Sequence, residues 1–279
     1  MSSGRIALTA QMTANLLSLQ GTAKLLGTTQ ERLATGKKVN SAIDDPVAYF
    51  DSEAHYQLAS DYETFQNGMS EAVQTAEAAT TAIESVKSLL QQMKSIATSA
   101  KSGTTTEMID YIAQFNTLIE QANTVVDDAE YKGINLLKSA DELEVVFDVN
   151  DNSLTISGFS AAMTGLGVVT VDSAGWSTAG DSIVSAGAIN STIAQIDAAI
   201  DTLRTKTKIL ATNLAVVTER QTFTDEMIAV LNTGGDNLTL ADTNEEGANM
   251  LMLQTRQSLG IQSLSIASQS AQAVLSLFR

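Results

Sequence analysis

The sequence has no cysteine, one histidine and one proline in 279 residues. Without thiols there is no disulfide framework, no thiolate metal site and no cysteine nucleophile. The single histidine, His55, has no second histidine or thiol with which to build a conventional metal site or triad, and reads as a residue on a helix surface. One proline leaves long helices unbroken, because proline removes a backbone donor and clashes inside a helix. Aromatic residues are only 5% of the chain, which favours thin layers of aliphatic side chains over a broad core. Basic residues are scarce too: 16 stand against 32 acidic ones, a net charge of −16. That balance argues against binding nucleic acid or an anionic membrane surface, both of which call for lysine and arginine. No apolar run is long enough to cross a bilayer. The start, MSSGRIALTAQMTANLLSLQ, shows neither the apolar core nor the cleavage site of a secretory leader.

What is present is periodicity. Apolar residues recur at alternating spacings of three and four in five segments. Met12, Leu16, Leu19, Ala23, Leu26, Gln30 and Leu33 make the first series. The second runs from Tyr62 through Met69, Ile83 and Leu90 to Ala97. The third runs from Met108 through Phe115 to Ala129, and the fourth from Ile189 through Leu203 and Val217 to Leu231. Met250, Leu253, Gln257, Gly260, Leu264, Ala267, Ala271, Val274 and Phe278 make the fifth. A sustained heptad predicts helices that supercoil around one another. The expected fold is mainly α: an elongated coiled-coil bundle of five helices, with the N- and C-terminal helices paired.

The breaks have their own chemistry. Gly36 suits the position after the first helix. Asp45 with Pro46 suits the start of the second. Gly103 and the threonines after it part the second from the third, and NTGGDN at 232–237 is expected to end the fourth. Asp242 with Glu245, or Thr243 with Glu246, reads as a capping box opening the fifth. Between the third and fourth helices the period falls to two: Leu143, Val145, Phe147 and Val149, the turn NDNS, then Leu154 and Ile156. This is a β-hairpin. A further strand at 166–172 is allowed by the pattern, inside a Gly-, Ala- and Ser-rich segment, 158–187, read as a small exposed excursion. The divisions expected are 1–39 and 237–279 for the paired terminal helices, 40–142 and 188–236 for the coiled-coil core, and 143–187 for the hairpin and exposed segment.

No motif carries catalysis. DVNDNS from Asp148 opens like a calcium loop, but Ser153 and Phe159 stand where glycine and glutamate belong. GWSTAG around Ser177 lacks the nucleophile-elbow spacing. Asp44 and Asp45 have no convergent partner, and one of them is needed as a cap. No enzyme activity, metal or cofactor is expected.

The heptads carry the function instead. Two core positions per heptad offer about 3–6 kcal/mol if fully buried, while ordering seven backbones costs about 7–14 kcal/mol. Helical hydrogen bonds offset part of that gap. In the terminal helices several core positions are small or polar, so one pairing within the chain is marginal. The last helix carries a second apolar series, Met252, Leu259, Ile266 and Ala273, which needs another partner. Folding of the ends coupled to association with neighbouring copies is therefore expected.

Three segments resemble bacterial flagellin: ERLATGKKVNSAIDDP at 31–46, YKGINLL at 131–137, and LADTNEEGANMLMLQTRQSLGIQSLSIASQSAQAVLSLF at 240–278. The resemblance implies a filament subunit for swimming motility, extracellular, whose paired terminal helices form an inner tube and whose coiled-coil core forms an outer one. It places the polymerisation interface at Leu16, Leu19, Leu26, Leu33, Leu259, Leu264, Ile266, Leu275 and Phe278. Implied partners are copies of itself, a secretion chaperone on the C-terminal helix, a type III export apparatus, and the filament cap and hook-associated proteins. The positions of the family's innate-receptor epitope hold Gln92, Ile96 and Gln114. Glutamines there, where the family usually has arginine and glutamate, imply weak receptor activation. A hook–filament junction protein and a cytoplasmic signalling bundle are the competing readings.

Overall fold

The structure is a computed structural model that describes residues 10–172, 175–176 and 185–277. Its elements are α1 (Ala10–Thr35), α2 (Pro46–Ala100), α3 (Thr105–Asp128), β1 (Glu142–Val146), β2 (Ser153–Ser157), α4 (Ala186–Thr239) and α5 (Thr243–Leu277). The mainly α architecture with one hairpin and a paired α1 and α5 is the one the periodicity predicts.

Most helix ends follow their local chemistry. Asp45 Oδ1 accepts from the amides of Val47 and Ala48, both at 3.1 Å, and Pro46 opens α2 where a missing donor costs nothing. Gly36, at φ 70°, ends α1 and donates its amide to the Arg32 carbonyl at 2.8 Å. Glu107 reaches back to accept from the Thr104 amide and hydroxyl at 2.8 and 2.9 Å before α3. Asp242 is the residue that caps α5, accepting from Asn244 and Glu245. After α3, buried Asn135 donates to the Val126 carbonyl at 2.8 Å and accepts from the Leu137 amide at 2.9 Å. One side chain thereby closes a helix and starts the approach to the hairpin.

The strands pair antiparallel, with Leu143 opposite Ile156 and Val145 opposite Leu154. NDNS is a turn built on Asp148, whose Oδ1 accepts from the Asn150 and Asn152 amides. Asp151 takes the left-handed conformation there, at φ 59°.

Two expectations are corrected. The NTGGDN segment does not end α4, which continues through it to Thr239. A side-chain Cβ on Gly235 would lie 2.8 Å from the Tyr56 ring, so this glycine serves close approach of two helices rather than a break. Residues 166–172 form turn and irregular backbone, not a strand. Leu166, Val168 and Val171 are buried, but their amides are satisfied without a neighbouring strand. Val168 donates to the Met163 carbonyl, and Val171 exchanges two bonds with the Asn116 side chain on α3, at 2.9 and 2.8 Å. An amide side chain has taken the place of a neighbouring strand.

The chain divides into two compact units, residues 1–58 with 230–279, and residues 59–229. The larger unit holds a single apolar cluster. The α2 residues from Met69 to Ala97, the α3 residues from Met108 to Val126 and the α4 residues from Ile189 to Val217 bury the positions the heptads predict, and the hairpin adds Leu143, Val145 and Ile156. Phe115 and Trp176 meet edge to face at 5.1 Å, with the indole N–H donating to Thr192. Phe115→Ala should lower the stability of this unit by about 3–5 kcal/mol, read as a shift in its denaturant midpoint.

Asp44 organises the link between α1 and α2. One carboxylate oxygen accepts from the Asn40 amide, the Ser41 amide and the Ser41 hydroxyl, at 3.0–3.1 Å. The Asn40 amide first, then the Ser41 hydroxyl and amide, hold the carboxyl below its usual range. The bonds it accepts therefore contribute stability above the ordinary carboxylate pKa, and that contribution is lost as pH falls through the depressed value. Amide exchange at Asn40 and Ser41 should accelerate in acid before the helices respond. Unchanged protection down to the lowest pH at which the fold survives would contradict this.

Candidate functional site

The smaller unit is built on the antiparallel meeting of α1 and α5. On α1 the inward face is Met12, Leu19, Thr22, Leu26, Thr29 and Leu33. Met12, Thr22 and Thr29 are buried and the leucines half-buried. This departs from the expected series: Ala23 and Gln30 are exposed, and Leu16 is 38% exposed. The two registers share positions 12, 19, 26 and 33 and differ at the alternate positions, where threonine won over alanine and glutamine. Thr22 can be buried because its hydroxyl donates to the Ser18 carbonyl at 3.0 Å.

On α5 the expected face is the observed one as far as Ala271, the burial of Val274 and Phe278 lying outside the described residues. Leu253 is buried, and Met250, Gln257, Gly260, Leu264, Ala267 and Ala271 are half-buried. A Cβ on Gly260 would lie 3.0 Å from Leu19 Cγ, so the glycine sets how closely the helices approach. Gly260→Val should push them apart and lower the helix content of this pair, measured by circular dichroism.

Polar contacts fix the same meeting. Arg32 pairs with Glu246 at 2.9 Å, the glutamate side chain being only 10% exposed. The Lys38 and Val39 amides donate to the Thr239 carbonyl, and the Ala241 amide to the Gly36 carbonyl. The chain leaving α1 and the chain entering α5 are thus stitched together. Tyr56 donates its hydroxyl to Asp236 at 2.8 Å. Burial, and to a lesser extent the Asp236 carboxylate, raises the phenol's pKa, though a hydroxyl bond with Thr239 opposes the shift. Sequence reasoning missed these pairings, since nothing local to either partner announces the other.

Away from the seam, α5 carries an exposed apolar stripe. Met252, Leu259 and Ile266, the second series on α5, are 52%, 62% and 58% exposed. Leu251 is exposed next to Met252, Ile261 is exposed on a different side of α5, and Leu17 and Leu25 are exposed on α1. Most of the exposed large apolar side chains among the described residues lie in this unit, although it is the shorter. From Gly247 to Leu277 the only charged residue is Arg256, so little repulsion would oppose covering the stripe. Of the residues named from sequence, Leu19, Leu26, Leu33 and Leu264 lie in the α1–α5 seam, whereas Leu16, Leu259 and Ile266 face outward. Leu275 belongs to the last turn of α5. Phe278 lies outside the described residues, as does Ser177. Gln92 on α2 and Gln114 on α3 are exposed, and Ile96 is half-buried. His55 is half-buried on α2, its ring beside Gly234.

Among the described residues no cluster of histidine, aspartate and glutamate could hold a metal ion, and no helix is long and apolar enough to cross a membrane.

The family model for the bacterial flagellin N-terminal helical region matches residues 6–141. Flagellin FljK of Caulobacter vibrioides is 28% identical over 267 residues, covering 95% of this chain and 94% of the relative. The flagellin of Brucella melitensis biotype 1 is 27% identical over 280 residues, covering 95% of each. Flagellin FljN of Caulobacter vibrioides is 41% identical over a shorter stretch, 31% of this chain and 32% of the relative.

Proposed function

Since this chain belongs to the bacterial flagellin family and is a structural subunit of the flagellar filament, we propose that its α1–α5 pair is the part that polymerises. The observation that carries the reading is the exposed Met252–Leu259–Ile266 stripe on a helix whose opposite face is already occupied by α1. An apolar stripe left over after intramolecular pairing gains free energy only when another copy covers it. Residues 1–39 and 237–279 then form the inner tube, 40–142 and 188–236 the outer coiled-coil layer, and 143–187 a short surface segment. Leu16, Leu19, Leu26, Leu33, Leu259, Leu264, Ile266, Leu275 and Phe278 lie in or behind the polymer contact.

Assembly would also consolidate the pair itself. Between its leucines and methionines the seam has small and polar positions, Gly260, Ala267, Ala271, Thr22 and Thr29 among them, each of which gains less by burial than a leucine. Amide protection across α1 and α5 should therefore be weak in dilute subunits and strong in filaments. A C-terminal helix so apolar needs cover before assembly, which suits a secretion chaperone. Passage through a type III export apparatus and addition beneath a cap, beyond hook-associated proteins, complete the route.

Electron microscopy and sedimentation of purified protein, after mild heating and salt addition, test the assembly reading. Long helical filaments are expected. Short oligomers that never elongate would favour a junction protein instead. Binding to a receptor kinase would favour the signalling bundle.

Gln92 and Gln114 also predict weak activation of the innate receptor that reads this surface in flagellins. Gln92→Arg combined with Gln114→Glu should raise the response of a receptor reporter cell about tenfold or more. No gain from the double substitution would remove the assignment.

A further inference from the structure

The link between α1 and α2 presents an apolar knob. Ile43 is 94% exposed, on the turn that the Asp44 carboxylate locks through three accepted bonds. Val47 and Phe50, one helical turn apart at the start of α2, are 69% and 63% exposed beside it. A fully exposed isoleucine on a braced turn has lost its freedom without gaining a contact, which is unfavourable unless something else supplies one.

The same chain carries an open, largely apolar groove to set against it. Leu251, Met252, Thr255, Arg256 and Leu259 line a hollow of about 440 Å³ on the outer face of α5. Its lining is apolar apart from Thr255 and Arg256, and Arg256 pairs with no carboxylate among the described residues. The knob has the opposite charge at its edges: Asp44 and Asp45 in the turn, and Asp51 next to Phe50 and one helical turn from Val47.

We propose that the Ile43–Val47–Phe50 knob of one copy docks in the Leu251–Arg256–Leu259 recess of a second copy, with Asp51 meeting Arg256 at the rim. The inference rests on the assembly reading above and names the partner surface within it. Both patches are exposed in the single chain, so neither fills the other internally. Because the two patches are different, the contact is heterologous. Each copy that offers a knob leaves its own recess open, and growth continues as an open array rather than stopping at a closed pair. The acid–base pair at the rim would fix which way round the copies meet, with apolar burial supplying most of the affinity.

The absence of native cysteine makes a direct test clean. Ile43→Cys and Met252→Cys are made in separate proteins, mixed, polymerised, pelleted and treated with a mild thiol oxidant. Any disulfide between the two types is intermolecular by construction. A cross-linked dimer is expected in mixed filaments, at least several-fold above that from either variant alone or from Ile43→Cys mixed with Ile109→Cys. Filaments that pellet normally yet give no excess of the mixed dimer would overturn the contact and leave the assembly reading standing. If unsubstituted protein forms no filaments, the assembly reading falls and this contact falls with it.

A charge exchange provides the second arm should the cysteine variants fail to elongate. Arg256→Asp should raise the subunit concentration needed for growth about tenfold. Adding Asp51→Arg to the same chain should recover most of that loss. A double variant no better than Arg256→Asp alone would overturn the pairing.

Discussion

Leu259→Glu and Ile266→Glu are expected to leave the isolated subunit's helix content and thermal midpoint unchanged while abolishing filament growth. Both side chains lie on the outer face of α5, 62% and 58% exposed, where a charge is solvated and the change in subunit stability should stay within about 0.5 kcal/mol. In the polymer each would put an unpaired carboxylate where an apolar side chain was covered. Losing the burial alone is worth about 1.5–3 kcal/mol per contact, and the charge adds to it. The concentration needed for growth should therefore rise at least about a hundredfold. Leu264→Glu provides the contrast. Leu264 is half-buried in the seam with α1, so its replacement should also lower the helicity of the subunit before any copy meets another. Circular dichroism of dilute protein and sedimentation of assembled protein separate the two effects. Loss of subunit helicity with Leu259→Glu, or normal growth with both outer variants, would contradict the assignment of faces.

The difference between those faces was partly legible from residue order alone. The long series on α2, α3 and α4 is buried where it was expected because large aliphatics at heptad spacing leave one way to hide. The seam of α1 was harder. Its two registers share half their positions, and at the alternate ones threonine is buried in place of alanine or glutamine; Thr22 does so with its hydroxyl bonded to its own helix. Residues 234 and 235 misled for a related reason. A glycine pair looks like a break until the Tyr56 ring that fills the space beside Gly235 is known, and that ring lies far away in sequence. The same distance hid the Arg32–Glu246 pair and the stitching of Gly36, Lys38 and Val39 to the Thr239–Ala241 corner. The irregular run at 166–172 shows the complement of that problem, since Leu166, Val168 and Val171 are buried as strand residues would be, yet the partner that Val171 meets is the Asn116 side chain and not a strand. Ile43 did leave a signal: it is the one large apolar residue between Asn40 and Asp45, in a segment otherwise suited to a solvated turn.

Trimming about thirty residues from each end, roughly the length of each terminal helix, should give a soluble, helical protein that cannot polymerise at any accessible concentration. The cut falls within the smaller unit and removes most of α1 and α5. It leaves intact the buried cluster of the larger unit, which runs from Met69 to Val217 and draws no member from either terminal helix. Sites with no shared partner contribute nearly independently to stability. The unfolding transition of the remaining core should therefore persist with little change, even as total helix content falls by the share of the missing helices. The outcome for assembly is all or none, because the apolar stripe of α5, the seam that supports it and the recess at Leu251–Leu259 go together. Ile43 and its turn survive the cut, so the trimmed protein keeps a knob with no hole to enter. It should bind the growing end of intact filaments weakly through that knob and slow their elongation when present in excess. Trimmed protein that builds long filaments on its own would move the principal contacts to the larger unit. Trimmed protein that unfolds would show that the core depends on the α1–α5 pair for its stability.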